Sequence, residues 1–96
     1  MRIQWSRGAD TDLDYHVHYI AQENIDAALR VQERILARIA GLAEHPEAGR
    51  IGRVPGTREL PITGTPYVAI YELIEKTVVV LRLMHGAQQW PPATLG

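Results

Sequence analysis

Apolar residues recur at helical spacing in two stretches of the first half of the chain. The members of the first stretch are separated by four, four and three positions: Ala9, Leu13, Val17 and Ile20. The members of the second stretch are separated by three, four, four and three positions: Ala28, Val31, Ile35, Ile39 and Leu42. Steps of three and four place side chains on one face of an α-helix, so each stretch predicts an amphipathic helix.

The ends of both predicted helices carry suitable residue types. Ser6 and Asn24 precede the two stretches, and their side-chain oxygens can accept hydrogen bonds from first-turn amides. The second helix should end by His45, because Pro46 disfavours helical geometry in the residue before it. Further apolar residues are expected to widen the second stripe: Leu29, Leu36 and Ala43. Two helices joined by so short a link should lie antiparallel.

The second half of the chain has the composition of β-strands. Tyr67–Ile74 and Thr77–Met84 are β-rich runs separated by Glu75-Lys76, which is the length of a tight hairpin link. Thr57–Ile62 predicts a further strand, with a turn after it at 63–66. Both long runs are apolar on both faces. This pattern indicates strands that are covered on each side, or covered on one side and engaged by a partner on the other.

The remaining segments complete a fold prediction. Arg2–Trp5 alternates polar and apolar residues, which favours a short strand, and Ala48–Gly56 is rich in Gly and Pro, which predicts an ordered loop. The order of elements predicts an α+β fold. It consists of an N-terminal strand, an antiparallel helical hairpin and a three-stranded antiparallel meander, with the helices packed on one face of the sheet.

Length and composition exclude several classes of protein. A chain of 96 residues fits one domain, spanning 1–96. The absence of Cys excludes a disulfide framework, a thiolate zinc site and a cysteine nucleophile. The longest uncharged apolar run, Thr77–Leu81, is far shorter than the ~20 residues that cross a bilayer, and the first residues do not lead into a signal-peptide core. We therefore expect a soluble cytoplasmic protein.

Charge is unevenly distributed along the chain. The net charge is −1, with −3 in residues 1–48 and +2 in residues 49–96. Nine of the ten basic residues are Arg, whose planar group suits carboxylate or phosphate, and Lys76 is the single Lys. A mildly acidic chain argues against generic coating of nucleic acid, which needs a basic field over much of the surface. A local basic site remains compatible with these numbers.

Arginines form the first group of candidate functional residues. Arg50, Arg53 and Arg58 fall within nine residues that contain no acid, and such a cluster can bind phosphate bidentately. The alternative interpretation is structural, with Arg50 and Arg53 as solvated loop charges and Arg58 paired with Glu59 or Glu72. Both interpretations remain open at this stage.

Arg82 and His85 form the second group, on the last predicted strand. Arg82 is expected to share strand parity with three apolar residues: Val78, Val80 and Met84. A guanidinium among apolar neighbours needs either an acidic partner or a ligand. His85 at the strand end has a side chain suited to proton transfer near neutral pH, or it is a half-buried structural residue.

The other polar and aromatic residues favour structural roles. Two Asp-His pairs occur at i,i+4 spacing, without an evident third ligand: Asp12 with His16, and Asp14 with His18. Tyr67 and Tyr71 share one face of their strand, where packing is the favoured role, and Trp90 is expected to pack the tail before it frays. We predict no metal and no cofactor.

Several short motifs follow one another in a recognisable order. In the first half they are Trp5-Ser6, Ala9-Asp10-x-Asp12-Leu13, Tyr19-Ile20-Ala21, Asn24 and Ala27-Ala28. In the second half they are His45-Pro46-x-x-Gly49-Arg50, Gly56-Thr57-Arg58-Glu59-Leu60, Tyr67-x-x-x-Tyr71 and Val80-Leu81-Arg82-Leu83-Met84-His85-Gly86. Together they cover nearly the whole chain. Their order and spacing resemble the ParE/RelE superfamily of bacterial toxins.

The resemblance implies a small toxin of a type II toxin-antitoxin module. Its partner is then a ParD/RelB-like antitoxin, whose C-terminal segment wraps the helices and the sheet. RelE-like members resemble ribosome-dependent endonucleases that cut messenger RNA, and here Arg58, Arg82 and His85 match or lie near their functional positions. ParE-like members act on DNA gyrase and lack a complete catalytic set.

The departures from the nuclease branch favour the ParE-like branch. The chain is not basic, and Gln88-Gln89-Trp90 stands where the nucleases usually have a C-terminal tyrosine. We therefore expect a gyrase-poisoning toxin with no assigned catalytic residue; the alternatives are an RNA endonuclease and a non-toxic module that only binds antitoxin. The residues expected to contact partners are Arg50, Arg53, Arg58, Tyr67, Tyr71, Arg82, His85 and Trp90.

Overall fold

The computed structural model describes residues 1–86, 88, 90 and 91. It confirms the α+β fold, with two helices packed on a mostly antiparallel sheet. The helices are α1 (Arg7–Ala21) and α2 (Ile25–Ala40), and a short 3-10 helix, Gly41–Ala43, follows α2. The strands are β1 (Arg2–Trp5), β2 (Arg50–Ile51), β3 (Thr57–Pro61), β4 (Tyr67–Ile74) and β5 (Thr77–His85).

Both helices begin at the predicted capping residues. The Ser6 hydroxyl accepts a hydrogen bond from the backbone N–H of Ala9 at 3.1 Å, and the Asn24 amide oxygen accepts one from Ala27 at 2.9 Å. These contacts satisfy first-turn donors that a helix leaves unpaired. The α-helical hydrogen bonds of α2 stop at Ala40, so the helix ends before His45 as predicted.

The sheet has five strands in the order β1-β5-β4-β3-β2. The predicted meander forms its centre, and two strands extend it. β1 pairs in parallel with β5, and the segment predicted as loop contributes β2, which pairs with β3 through Arg50 and Ile51. A two-residue strand is too short to produce a periodic sequence signal, which explains why β2 was not predicted.

The link between β4 and β5 is the predicted hairpin. Glu75 and Lys76 have φ angles of 47° and 64°, so both residues lie in the left-handed region. Two consecutive residues of this kind form the turn that matches the twist of paired strands. The hairpin holds β4 and β5 together over their whole length.

A bulge in β5 overturns one prediction about Arg82. Tyr71 pairs with Val80, whereas its neighbour Ile70 pairs with Arg82, so Leu81 is an extra residue in β5. The extra residue moves Arg82 to the face opposite Val80. The expectation that Arg82 shares parity with Val78 and Val80 was therefore wrong, because strict alternation fails at a bulge.

The helices bury one face of the sheet. The core joins residues of α2 and the 3-10 helix to residues of the three central strands: Ile35, Ile39, Leu42, Leu60, Ala69, Tyr71, Val80 and Leu83. Ile70 and Met84, on the opposite face, are also buried. The long strands are thus covered on both sides at these positions. No helix among the described residues is long and apolar enough to cross a membrane.

The second apolar stripe is narrower than predicted. Leu29 and Leu36 were expected to join the buried face of α2, but 56% and 41% of their surfaces are exposed. Each residue turns about 100° around a helix, so Leu36 lies well to one side of the buried Ile35. The sheet covers the centre of the stripe and leaves this flank open.

Candidate functional site

α1 completes the edge of the sheet where β1 ends. β1 pairs with β5 only as far as Val80, and the Ser6 N–H then donates to the Val80 carbonyl at 2.9 Å. Farther along, the Asp12 carboxylate accepts the Leu83 N–H at 2.9 Å. The Leu83 carbonyl lies 3.0 Å from Nε2 of His16. Side chains of α1 therefore bond the exposed backbone of β5 and close this edge to another strand.

Burial favours the neutral form of the His16 side chain. Burial lowers the pKa of His16 below its ordinary value of 6.5, against the raising effect of the Leu83 carbonyl and of Asp12. Because a carbonyl only accepts, Nε2 carries the donated hydrogen. The His16 ring also packs on Tyr67, with ring centroids 4.7 Å apart. The role of His16 here is to pack and to bond the strand edge.

Arg82 has an acidic partner on α1. Its Nε and one terminal nitrogen donate to the two carboxylate oxygens of Asp12, at 2.6 and 3.0 Å. This is the bidentate geometry of a strong charge-assisted pair. The hydrogen bond to Asp12 raises the pKa of Arg82 further above its ordinary value. Of the two options for Arg82, an acidic partner or a ligand, the structure therefore supplies the acidic partner.

Arg50 and Arg53 meet at the buried carboxylate of Glu59. The side chain of Arg50 donates to Glu59 at 3.1 Å, and the backbone N–H of Arg53 donates to its other oxygen at 3.0 Å. The Arg53 guanidinium is 3.7 Å from the same carboxylate and also donates to the Trp90 carbonyl at 3.1 Å. The two arginines are thus paired rather than merely solvated, and Arg53 links the tail at Trp90 to the sheet.

The electrostatics of Glu59 follow from these contacts. Glu59 is only 2% exposed, and burial by itself raises the pKa of its carboxyl. The donors from Arg53 and Arg50, with their charges, outweigh burial, so the pKa ends below its ordinary value of 4.5. The carboxylate therefore stays ionised in the folded protein at neutral pH.

The lowered pKa of Glu59 predicts a loss of stability in acid. Its contribution is complete above the ordinary pKa of 4.5 and is lost as the pH falls through the lower folded-state pKa. We expect Glu59→Gln to lower the free energy of unfolding by about 1–3 kcal/mol at neutral pH and to flatten the acid limb of the stability curve. Urea unfolding between about pH 6 and pH 3 measures both effects.

Glu75→Gln, at an exposed turn position, is the control for removing one carboxylate. It should leave the stability at neutral pH nearly unchanged. If the Glu59→Gln curve ran parallel to that of the unmodified protein throughout the acid range, Glu59 would not be the group responsible.

Arg58 and Tyr71 fix the loop that precedes β2. The Arg58 guanidinium donates to the carbonyls of Gly49 and Glu47, at 2.8 and 3.3 Å. The Tyr71 hydroxyl accepts from the Gly49 N–H and donates to the Pro46 carbonyl, both at 2.8 Å. Arg58 thus bonds backbone carbonyls rather than Glu59 or Glu72. Both side chains position the loop that leads to Arg50.

His85 lies beside Tyr67 at the end of β5. The two rings meet edge to face with centroids 5.5 Å apart, and the His85 backbone N–H donates to the Gln88 side chain at 2.6 Å. Burial raises the pKa of the Tyr67 hydroxyl above its ordinary value of 10.0. Tyr67 is therefore a packed aromatic residue, as its strand position predicted, while His85 remains half-buried at the rim.

The structure does not bring Arg58, Arg82 and His85 into one site. Arg58 is on β3 and Arg82 is on β5, with β4 between them. Arg58 pairs with Tyr71, and the bulge places Arg82 on the face of the sheet opposite Tyr71. His85 follows Arg82 by three residues, so alternation places these two side chains on opposite faces. No group of three or more His, Asp or Glu side chains within residues 1–86, 88, 90 and 91 is arranged to hold a metal.

An exposed apolar surface on α2 was missed by the sequence patterns. Ile25, Leu29 and Leu36 are 67%, 56% and 41% exposed and share one side of the helix. We call these three residues the apolar flank. The spacing of these residues, four and then seven positions, is itself helical. The sequence pattern did not separate them from the buried stripe, because both sets are apolar and lie on the same helix. Contiguous exposed apolar residues of this kind mark surfaces for protein partners.

The chain is similar to proteins named as toxins over almost its whole length. Residues 3–90 match a family model described as the ParE toxin of the type II toxin-antitoxin system parDE. It is 43% identical over 90 residues to Y4kP of Sinorhizobium fredii, a protein named as a toxin, covering 94% of this chain and 93% of that protein. It is 33% identical over 87 residues to Toxin RelE2 of Caulobacter vibrioides, covering 91% and 97%.

Solved structures agree with these relatives. The chain is similar to a chain of the chromosomal ParDE system from P. aeruginosa, with a TM-score of 0.79, 30% identity and coverage of 88% of this chain and 95% of that chain. It is similar in fold to a chain of the intact E. coli RelBE toxin-antitoxin complex, with a TM-score of 0.63, 15% identity and coverage of 92% and 98%.

Proposed function

The chain belongs to the ParE/RelE family of type II toxin-antitoxin toxins, and we propose that it inhibits growth by binding and poisoning DNA gyrase and is neutralised by a cognate antitoxin. The observation that carries this choice of target is the bidentate pair between Arg82 and Asp12. An arginine held by a carboxylate is not free to stabilise a phosphate in a cleavage reaction. Such a toxin acts by binding its target in the cytoplasm.

The positions of the other two nuclease candidates support the same choice. General acid-base catalysis of RNA cleavage needs a proton-transfer group and a positive charge within reach of one phosphate. Arg58 instead donates to the carbonyls of Gly49 and Glu47, on a strand that β4 separates from His85. The net charge of −1 also disfavours docking on the ribosome, whose surface is dominated by RNA phosphate.

The apolar flank is the surface proposed for the antitoxin. The two solved structures described above come from toxin-antitoxin systems. Ile25, Leu29 and Leu36 offer one side of α2 to an amphipathic segment, which can insert its own apolar residues at helical spacing. A complex that buries these three side chains would remove their apolar surface from water, which favours binding.

The target surface is proposed on the opposite side of the molecule. Arg50 and Arg53 project exposed guanidinium groups beside Trp90, and His85 lies at the rim of the same small cavity. Tyr67 and Tyr71 are buried, so their contribution is to hold neighbouring groups in place. Arg58 and Arg82 contribute in the same indirect way, through the loop before β2 and through α1.

Expression of the chain alone tests the target. We expect growth to stop, plasmid supercoiling to be lost and DNA breaks to appear before messages are degraded, because poisoning acts on gyrase. Plasmid topology gels and mapping of message ends separate the outcomes. Intact supercoiling with early cleavage of messages would establish the RNA endonuclease instead. Harmless expression with tight binding to the product of the neighbouring gene would establish a non-toxic antitoxin-binding module.

A further inference from the structure

The flank of α2 opposite the apolar flank carries a line of arginines. Arg30, Arg34 and Arg38 repeat at every fourth residue, which places them about 6 Å apart along the helix. They line an open groove of about 640 Å³ between α2 and the turn at Thr63. All three side chains are exposed. We call Arg30, Arg34 and Arg38 the basic ridge.

The basic ridge has no acidic partner within the part of the chain that the structure describes. The ion pairs there join other residues: Arg50 and Arg53 with Glu59, and Arg82 with Asp12. The contacts described above for the other arginines are to carboxylates or backbone carbonyls. These arginines are Arg50, Arg53, Arg58 and Arg82. The ridge carries three guanidinium groups against two nearby carboxylates: Glu33, which lines the groove, and Asp26, which lies one helical turn before Arg30.

One member of the ridge is held in position by the β3-β4 turn. Arg34 donates to the Thr63 carbonyl at 3.3 Å. Its guanidinium lies against Gly64, where a Cβ atom would collide with it, and Gly64 has a φ of 82° that suits glycine. The turn therefore leaves room for the Arg34 side chain and orients it along the groove. A partly fixed guanidinium loses less conformational freedom when it binds a ligand.

We propose that the basic ridge binds an acidic peptide segment of the antitoxin, beside the segment that covers the apolar flank. This inference rests on the proposed function for the identity of the partner. Carboxylates at every fourth residue of a helix repeat at about 6 Å, and those at every second residue of a strand at about 6.6–6.8 Å. Both repeats match the spacing of the ridge and allow arginine-carboxylate pairs.

The groove favours a peptide over nucleic acid. None of the described residues that line it has an aromatic ring on which a base could stack. The negative net charge of the chain opposes a long polyanion more strongly than a short peptide that carries a few carboxylates. The methyl group of Ala37 and the arginine stems provide apolar contact for peptide side chains.

The position of the ridge supports the antitoxin as the partner. The two flanks lie on the same helix, and the exposed surface between them carries Ala37 and Ala40 together with Asp26 and Glu33. An α-helix is about 10–12 Å across, so a short stretch of chain spans it. A segment anchored on the apolar flank therefore reaches the ridge after crossing α2. The antitoxin is expected to place a run of acids next to its apolar anchor.

The first experiment measures binding of a defined probe to the whole protein. The probe is a synthetic alanine-rich helical peptide with Glu at every fourth residue, compared with the same peptide carrying Gln. We expect binding of the Glu peptide to weaken about tenfold in the variant R30Q/R34Q/R38Q, and to weaken in the unmodified protein as salt rises above about 0.1 M. The control R2Q/R7Q removes two exposed arginines elsewhere and should bind normally.

A second variant distinguishes loss of the binding site from misfolding of R30Q/R34Q/R38Q. Glu33→Gln removes the repulsive carboxylate and should strengthen binding of the Glu peptide about two- to threefold, which a damaged fold would not do. Equal binding by all variants, or stronger binding of a DNA duplex than of the Glu peptide at the ridge, would overturn the acidic-peptide assignment. The measurement involves neither gyrase nor growth. A negative result would therefore count against the acidic-peptide site and not against the proposed function.

The second experiment tests the identity of the partner. The product of the neighbouring reading frame is co-expressed with each variant, and rescue of growth is scored. The R30Q/R34Q/R38Q variant should need about tenfold more of that product for rescue, whereas R2Q/R7Q should not. If the Glu peptide bound the ridge but rescue were unchanged, the antitoxin would be the wrong partner.

Discussion

Replacing Leu29 and Leu36 with Glu is expected to leave the toxin folded and active but to abolish its neutralisation by the antitoxin. Both residues are largely exposed, so the substitutions disturb little of the core. In the complex, the two new glutamates would place two negative charges in the apolar contact between the flank and the antitoxin. Loss of an apolar anchor typically costs about 2 kcal/mol or more, and two such losses together weaken binding by roughly 700-fold.

The measurement is growth on co-expression, together with titration of purified toxin by the product of the neighbouring gene. Ile74→Glu is the matched control, since it adds a charge at another exposed apolar residue, next to the hairpin turn. We expect Ile74→Glu to be neutralised normally. Rescue of the double variant at ordinary antitoxin levels would show that the apolar flank is not the docking surface.

Asp12→Ala is expected to lower the free energy of unfolding by about 2–4 kcal/mol. The Asp12 carboxylate accepts three hydrogen bonds, two from the Arg82 guanidinium and one from the Leu83 backbone. Its removal leaves the Leu83 N–H without an acceptor at a sheet edge covered by α1, and leaves Arg82 without its counter-charge. Partial solvent access to Arg82 keeps the loss within this range.

Chemical denaturation measures this loss. Asp14→Ala, an exposed acid on the same helix, should change stability by no more than a few tenths of a kcal/mol. Asp12→Asn keeps an acceptor oxygen for the Leu83 N–H, so it should lower the free energy of unfolding less than Asp12→Ala does. Equal effects of Asp12→Ala and Asp14→Ala would show that the pair with Arg82 adds nothing to the fold.

Elements of the fold that depend on neighbouring residues were predicted well. Ser6 and Asn24 cap the helices through residues three positions ahead, and Glu75-Lys76 forms the hairpin turn. In these cases the residues that interact are adjacent or one helical turn apart. Local spacing therefore contains the needed information.

The candidate site was predicted less completely because its partners are distant in the chain. Arg82 and Asp12 are 70 residues apart, and no local pattern links them. The bulge at Leu81 also changed the face on which Arg82 lies. Arg50 and Arg53 were recognised as a group, but their shared carboxylate, Glu59, was recognised only once β2 and its loop were seen to fold back on β3.

By itself the sequence determined the helices, the β-hairpin, the α+β class and the toxin family, because periodic spacing and ordered motifs are properties of the chain. The tertiary structure decided which charges are engaged and which surfaces are open. It joined Arg82 to Asp12, placed Arg58 on backbone carbonyls and left the apolar flank and the basic ridge exposed on α2. The physical reason is that an arginine or a leucine has the same side chain whether or not another element covers it. Only packing determines its neighbours, and with them its role.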